Sequence, residues 1–251
     1  MNEIGKQIEI FTQVYFKGYL DEVKSLDFEK DEHHFLFGLL DKTVENFSAV
    51  GHLLQIMSQE HNHYLKNSLY LLLRGCLSDV IMINWLMWET EEDKNADESL
   101  KIKTYEIERD HIKFHLMYLQ KFESLGLLPK KEKEEELQIL NDLFGDLLPE
   151  VQRDLNTKGF KTVSIRDMLN LHTKNNLALI SAYKGYFMFS KMEHSGAFTH
   201  MIRQQSYKKD NPMDQHINTA IFDITTAIQA LVPIFFKDDD FLGKIKSFKI
   251  I

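Results

Sequence analysis

Apolar residues recur at intervals of three and four along almost the whole chain, and this spacing limits the fold more than any other feature. It is clear from Ile4 to Tyr15 and again from Phe35 to Leu54. Such spacing places the apolar side chains on one face of an α-helix. Alternation with a period of two, which indicates strands, is nearly absent. The chain is therefore predicted to be all-α.

Turn-forming residues interrupt the helical pattern at several places and divide the chain into segments. Asp, Asn, Gly and Pro are concentrated in DEVKSLDFEKDE, ETEEDKNADES, ESLGLLPKKEK, FGDLLPE, DLNTKGFKTVS and YKKDNPMD. These breaks predict a multi-helix bundle of about nine or ten helices, mostly up-and-down. With 251 residues, 43 % of them hydrophobic, the chain can bury one large core or two tightly joined lobes. We predict a single domain over residues 1–251, with a peripheral helical excursion over 124–163.

The composition limits the compartment and the partners. The single cysteine, Cys76, excludes an internal disulfide, and no charged-then-apolar leader opens the chain, so a cytoplasmic location is expected. The net charge of −8 disfavours broad electrostatic binding to nucleic acid, although local basic patches are compatible with it.

The segment 69–88 has the length and apolarity of a membrane span, but it carries Arg74 and Asp79. Each of these charges costs about 2.5–3.5 kcal/mol at the centre of a bilayer on insertion scales. We therefore predict a buried central helix and no membrane partner. Arg74 and Asp79 are close enough in sequence for a partly buried ion pair or a shared polar network.

A polar stripe runs along the apolar segment 182–196. Tyr183, Tyr186, Ser190 and His194 share one helical face, because steps of three and four residues return to the same side. A histidine beside a serine hydroxyl is a general-base arrangement that would suit acyl or phosphoryl chemistry. The segment lacks the Gly-x-Ser-x-Gly turn that exposes a nucleophile. The alternatives are a ligand pocket and a hydrogen-bonded structural core.

Two short motifs have the form Arg-Asp-x4-His. They are RDHIKFH, with Arg109 and His115, and RDMLNLH, with Arg166 and His172. This pattern resembles the Arg-x4-6-His motif of the HEPN superfamily, whose all-helical domains include metal-independent ribonucleases. The resemblance implies that the arginine and the histidine of either motif act on RNA, usually across a dimer interface. The alternative for each motif is an exposed charged turn of a helix.

Metal and nucleotide sites are not predicted. Glu108, His111 and His115 share one helix face, but zinc or iron requires three or four ligands that converge, and ligand pairs on one helix are common by accident. Neither Gly-x-Gly-x-x-Gly nor a Gly-Lys-Ser/Thr loop occurs. We therefore expect no cofactor.

The order of features along the chain carries a second resemblance. The apolar helix SLYLLLRGCLSDVIMINWLM is followed about a hundred residues later by VSIRDMLNLHTKNNLALISAYKGYFMFSKMEHSG. This order is similar to that of a bacterial helical family classified as a domain of unknown function, over residues 35–200. The resemblance implies that Arg74, Tyr186, Ser190 and His194 meet in one central pocket. The family usually has an acid one turn after the arginine, where this chain has Ser78.

Two functions follow from these patterns. The first is a HEPN-like RNA-binding protein or ribonuclease of a bacterial stress or phage-defence system. The second is a non-enzymatic module that senses a ligand or holds a protein partner, with a pocket that accepts phosphate or carboxylate. RNA, a small anionic ligand and a second copy of the chain, as a homodimer, are the expected partners.

Overall fold

The structure is a computed structural model of the chain, and it describes residues 2–22, 31–60, 65–87, 96–158, 164–165, 168, 177–193 and 212–249. Within these ranges the chain forms nine α-helices and no strand, which confirms the prediction of an all-α, multi-helix fold. The helices are α1 (Asn2–Glu22), α2 (Asp31–Glu60), α3 (Lys66–Met87), α4 (Ala96–Ser124), α5 (Lys130–Phe144), α6 (Leu148–Lys158), α7 (Leu177–Glu193), α8 (Pro212–Phe235) and α9 (Asp239–Ser247).

The chain divides into two compact units. The first unit combines Met1–Trp88 with Met168–Ile251 and contains α1–α3 and α7–α9. The second unit is the continuous stretch Glu89–Asp167 and contains α4–α6. The peripheral excursion predicted over 124–163 lies within the second unit, which also takes in α4.

The first unit begins with the antiparallel pair of α1 and α2. A Cβ atom added to Gly5 would lie 2.8 Å from the carbonyl oxygen of Gly51, so both helices need a residue without a side chain at this crossing. Further along, the ring centroids of Phe11 and Phe47 are 6.3 Å apart. Aromatic contacts and a close glycine crossing therefore hold the two helices together along their length.

Helix α3 lies at the centre of the first unit, where it contacts α2, α7 and α8. Its buried side chains include Leu69, Leu73 and Leu77. In the most apolar 18 residues of α3, 61 % are buried. Within the described residues, α3 and Met213–Phe235 of α8 are long and apolar enough to cross a membrane by length and composition. A core helix of a soluble protein passes the same test, and both helices pack against the rest of this unit.

Helix α9 closes one end of the first unit. The Asp238 side chain accepts a hydrogen bond of 2.7 Å from the backbone N–H of Phe241, which caps the helix at its N-terminus. At the other end, the Gln229 amide of α8 donates to the carbonyl oxygens of Ile245 and Phe248, at 2.8 and 2.9 Å. Side chains from α8 and from the capping residue therefore satisfy both ends of this short helix.

The second unit has an apolar core of its own. Ile112, Leu116 and Leu119 form the apolar face of α4, and they cluster with Leu140 of α5 and Val151 of α6. The Leu116 and Leu119 positions follow the three-residue and four-residue spacing that the sequence predicts for a helix packed on one side. This unit thus buries its apolar residues within three consecutive helices.

Candidate functional site

The α3–α7 pair holds the residues that the sequence predicts as a polar cluster. The two helices run antiparallel, with the Tyr70 and Phe189 rings stacked at 5.5 Å and Leu77 opposite Gly185. A Cβ atom at Gly185 would lie 2.7 Å from Leu77 Cδ1, so the missing side chain allows α7 to approach α3 closely. This close packing sets the positions of the residues on both sides of Gly185.

Arg74 and Tyr186 come together in the middle of this pair. The guanidinium carbon of Arg74 lies 5.5 Å from the centroid of the Tyr186 ring, within the range of a cation–π interaction. The Tyr183 ring stacks beside Tyr186, with centroids 6.4 Å apart and planes 18° apart. Arg74, Tyr183 and Tyr186 are all partly buried. The structure therefore brings Arg74 together with two tyrosines that follow it by more than a hundred residues in sequence.

The rest of the predicted stripe is described only in part. Ser190 lies one helical turn beyond Tyr186 on the same face of α7 and is partly buried. His194 lies outside the described residues. The arrangement of Ser190 and His194 as a hydroxyl and its general base stays a prediction.

Asp79 has a partner other than Arg74. Its Oδ1 atom accepts a hydrogen bond of 2.8 Å from the Lys42 ammonium of α2, while its Oδ2 atom has no hydrogen-bond partner in the described part of the chain. Arg74 and Asp79 are five residues apart, which separates them by about 140° around α3. Burial raises the pKa of the Asp79 carboxyl, and Lys42 opposes that rise. The sequence analysis missed Lys42, because nothing local pairs a residue with another that lies 37 positions away.

Arg109, the first arginine of the Arg-Asp-x4-His motifs, is engaged within the second unit. Its guanidinium forms an ion pair with Asp154 of α6, and its Cζ atom lies 5.8 Å from the centroid of the Tyr105 ring. The Asp154 side chain is 11 % exposed, so the pair is largely withdrawn from solvent. Arg109 therefore joins α4 to α6.

His115 points toward a different helix. Its Nε2 atom lies 3.1 Å from a carboxylate oxygen of Glu136 on α5. Arg109 and His115 are six positions apart, which places the two side chains about 120° apart around α4. Each of them contacts a carboxylate, but on different neighbouring helices. Arg166 and His172 of the second motif lie outside the described residues.

A groove that the sequence analysis did not predict lies between α3, α7 and α8. It has a volume of about 500 Å³ and is lined mainly by apolar side chains, among them Val80, Leu177 and Phe222. The Ser181 hydroxyl donates a hydrogen bond of 2.8 Å to the Asp223 carboxylate within it. Burial raises the pKa of Asp223, and the hydrogen bond from Ser181 opposes that rise.

The sequence does contain a signal for this groove. Asp223 is the only Asp, Glu, Lys or Arg between Asp214 and Lys237, on a helix that is otherwise apolar. A lone carboxylate in such a setting needs a hydrogen-bond donor or a cation nearby. Ser181, the donor in this structure, precedes it by 42 positions on another helix.

Over the residues that the structure describes, no three His, Cys, Asp or Glu side chains are grouped so that they could hold a metal ion. The described residues form three polar features, namely a cation–π cluster at Arg74, a lysine-paired carboxylate at Asp79 and a groove with one carboxylate at Asp223. Comparison of the chain with protein-family models, with curated proteins and with solved structures gave no match.

Proposed function

We propose that the protein is a non-enzymatic helical module that binds a small anionic ligand at a site centred on Arg74 and Tyr186. The observation that carries the proposal is the Arg74 guanidinium over the Tyr186 ring, at 5.5 Å. The cation–π contact fixes the position of the guanidinium beside the ring, and the N–H groups of a guanidinium lie along the edge of its plane. Phosphate and carboxylate groups bind such an edge through paired hydrogen bonds.

The α7 side chains beside Arg74 add further hydrogen-bond donors for an anion. Tyr183 and Ser190 lie on the same face of α7 as Tyr186, and their hydroxyls are additional donors for an anion. Partial burial of the cluster strengthens each of these interactions relative to open water.

Phosphate binding by the full chain tests the proposal. We expect inorganic phosphate to raise the melting temperature above that in chloride at matched ionic strength. At ten times its Kd, a ligand adds about 1.4 kcal/mol to the free energy of unfolding. Arg74→Met should remove this increase, because it deletes the charge and the paired donors. Arg74→Lys should keep only part of it, since an ammonium cannot form the bidentate contact.

The matched control is Arg153→Met, which removes an exposed arginine from α6. It makes the same change in net charge and should leave the phosphate effect intact. Isothermal titration calorimetry with phosphate gives the affinities directly. Equal phosphate affinities for wild type and Arg74→Met would contradict the proposal.

The RNA-binding or ribonuclease hypothesis requires a rearrangement of the Arg109 and His115 side chains. Arg109 and His115 would have to release Asp154 and Glu136 before both could act on one RNA strand. Cleavage of a generic single-stranded RNA, measured for wild type and for the His115→Ala and His172→Ala variants, separates the two functions. If the wild type cleaves RNA and either variant does not, the ribonuclease hypothesis is favoured over the ligand-binding proposal.

A further inference from the structure

The groove between α3, α7 and α8 has the size and lining of a small-molecule site. Its volume of about 500 Å³ lies within the range of ligand pockets in proteins. Val80 of α3, Leu177 of α7 and Phe222 and Ala227 of α8 contribute apolar surface. Leu177 is 81 % exposed and Phe222 is 64 % exposed, so the apolar lining reaches the surface of the first unit. An apolar ligand would cover both side chains as it enters.

A single carboxylate is the charged group of this groove. Asp223 is partly buried and accepts a hydrogen bond from the Ser181 hydroxyl. Among the residues that the structure describes, no lysine, arginine or histidine forms an ion pair with it, and Ser181 is its one hydrogen-bonding partner. The groove therefore presents a negative charge, without a counter-charge from the described chain, at the edge of an apolar surface.

We propose that this groove binds an amphipathic amine, with the apolar body between the three helices and the protonated amino group on the Asp223 carboxylate. An ammonium group brings both the missing positive charge and three hydrogen-bond donors. A neutral apolar ligand would cover the carboxylate without pairing it, and burial of an unpaired charge is unfavourable. A carboxylate ligand would add a second negative charge beside Asp223.

Three probes with the same alkyl chain test this charge preference, namely octylamine, 1-octanol and octanoate. Their affinities for the full chain are measured at pH 7 by isothermal titration calorimetry, below the concentrations at which they form micelles. We expect octylamine to bind about tenfold more tightly than 1-octanol, as one charge-assisted hydrogen bond provides. Octanoate should bind most weakly of the three.

Asp223→Asn should reduce the affinity for octylamine to that for 1-octanol, because it removes the charge and keeps the shape of the side chain. The matched control is Asp146→Asn, at an exposed aspartate between α5 and α6. Both substitutions change the net charge of −8 by the same amount, so general attraction of amines to an acidic protein would be affected equally. Only Asp223→Asn should remove the preference.

The double variant Ala178→Leu, Ala230→Leu tests the location. Both alanines line the groove, on α7 and α8, and both are exposed, so larger side chains fill the groove without entering the core. Octylamine and 1-octanol should both lose affinity, while circular dichroism shows unchanged helix content. Unchanged affinities in this variant would overturn the proposed site.

The other outcomes are equally decisive. Equal affinities of octylamine and 1-octanol in the wild type would overturn the role of Asp223 and leave an apolar groove for neutral ligands. Absence of binding by all three probes would overturn the proposal as a whole. The groove shares none of its lining residues with the Arg74 cluster, so phosphate binding and amine binding succeed or fail independently.

Discussion

Asp79 is a buried acid held by one exposed lysine. Its side chain is 5 % exposed, whereas that of Lys42 is 61 % exposed, so the carboxylate alone loses most of its hydration. One of its oxygens also has no hydrogen-bond partner in the described part of the chain. Because removal from water outweighs the attraction of Lys42, the pKa of Asp79 lies above its ordinary value. The charged form of this residue therefore opposes folding.

Asp79→Asn should accordingly stabilise the protein at neutral pH, and the gain should shrink in acid. A carboxyl whose pKa is raised by folding binds more protons in the folded state, so its penalty is present above the folded pKa. That penalty disappears as the pH falls through the folded pKa and below the unfolded value near 3.8. We expect the free energy of unfolding of the variant to exceed that of wild type by about 1 kcal/mol at pH 7.

Urea denaturation of both proteins at a series of pH values from 7 down to 3 measures this difference. Lys42→Met is the companion variant, and it should lower stability at pH 7, since it leaves the buried charge alone. A stability advantage of Asp79→Asn that grows in acid would contradict a raised pKa of the Asp79 carboxyl in the folded protein.

Sequence spacing predicted which residues share a face of one helix. It did not predict which residues pair between helices. Tyr183, Tyr186 and Ser190 lie on one face of α7, as a period of 3.6 requires. The structure describes the contact of Arg74 with Tyr186, and the four-residue pocket that the family resemblance implied stays a prediction. Asp79 with Lys42, and Asp223 with Ser181, depend on how helices pack, and no local pattern encodes that.

At the scale of helices, the apolar period is clear in α1 and α2, and turn-forming residues mark the two ends of α4. Helix α3 is central and largely buried, as its apolar composition suggested. Which helices pair was not predictable, because many amphipathic helices have interchangeable apolar faces. The crossing of α1 and α2 at Gly5 and Gly51 shows one physical device that selects a pair.

Gly5→Ala should destabilise the protein, because the new methyl group would meet the backbone of α2 at Gly51. Overpacking of this kind costs about 1–3 kcal/mol. The control is Gly38→Ala in α2, where a Cβ atom would meet nothing within 4 Å. That variant should gain about 0.5–1 kcal/mol from better helix propensity. Chemical denaturation of both variants provides the comparison, and a stabilising Gly5→Ala would show that the crossing can open without cost.

At the scale of the whole molecule, the division of the chain into two compact units predicts two cooperative units. Leu116 lies in the core of the second unit, and Leu73 in that of the first. Leu116→Ala should cost about 2–5 kcal/mol and should accelerate amide hydrogen exchange in α4–α6, with α1–α3 unchanged. Leu73→Ala should accelerate amide hydrogen exchange in α1–α3 and leave exchange in α4–α6 unchanged. Exchange that accelerates evenly in both units for either variant would show that they unfold together.

The division of the first unit into two stretches of chain has a consequence for the order of synthesis. Helices α1–α3 are translated before Glu89–Asp167, and α7–α9 only after it. The second unit is one continuous stretch of chain, so it can fold as soon as that stretch has left the ribosome. Until α7 and α8 arrive, α3 lacks two of the helices that cover it. The nascent chain thus carries an apolar, aggregation-prone surface for as long as the intervening segment takes to synthesise, and holdase chaperones recognise surfaces of that kind.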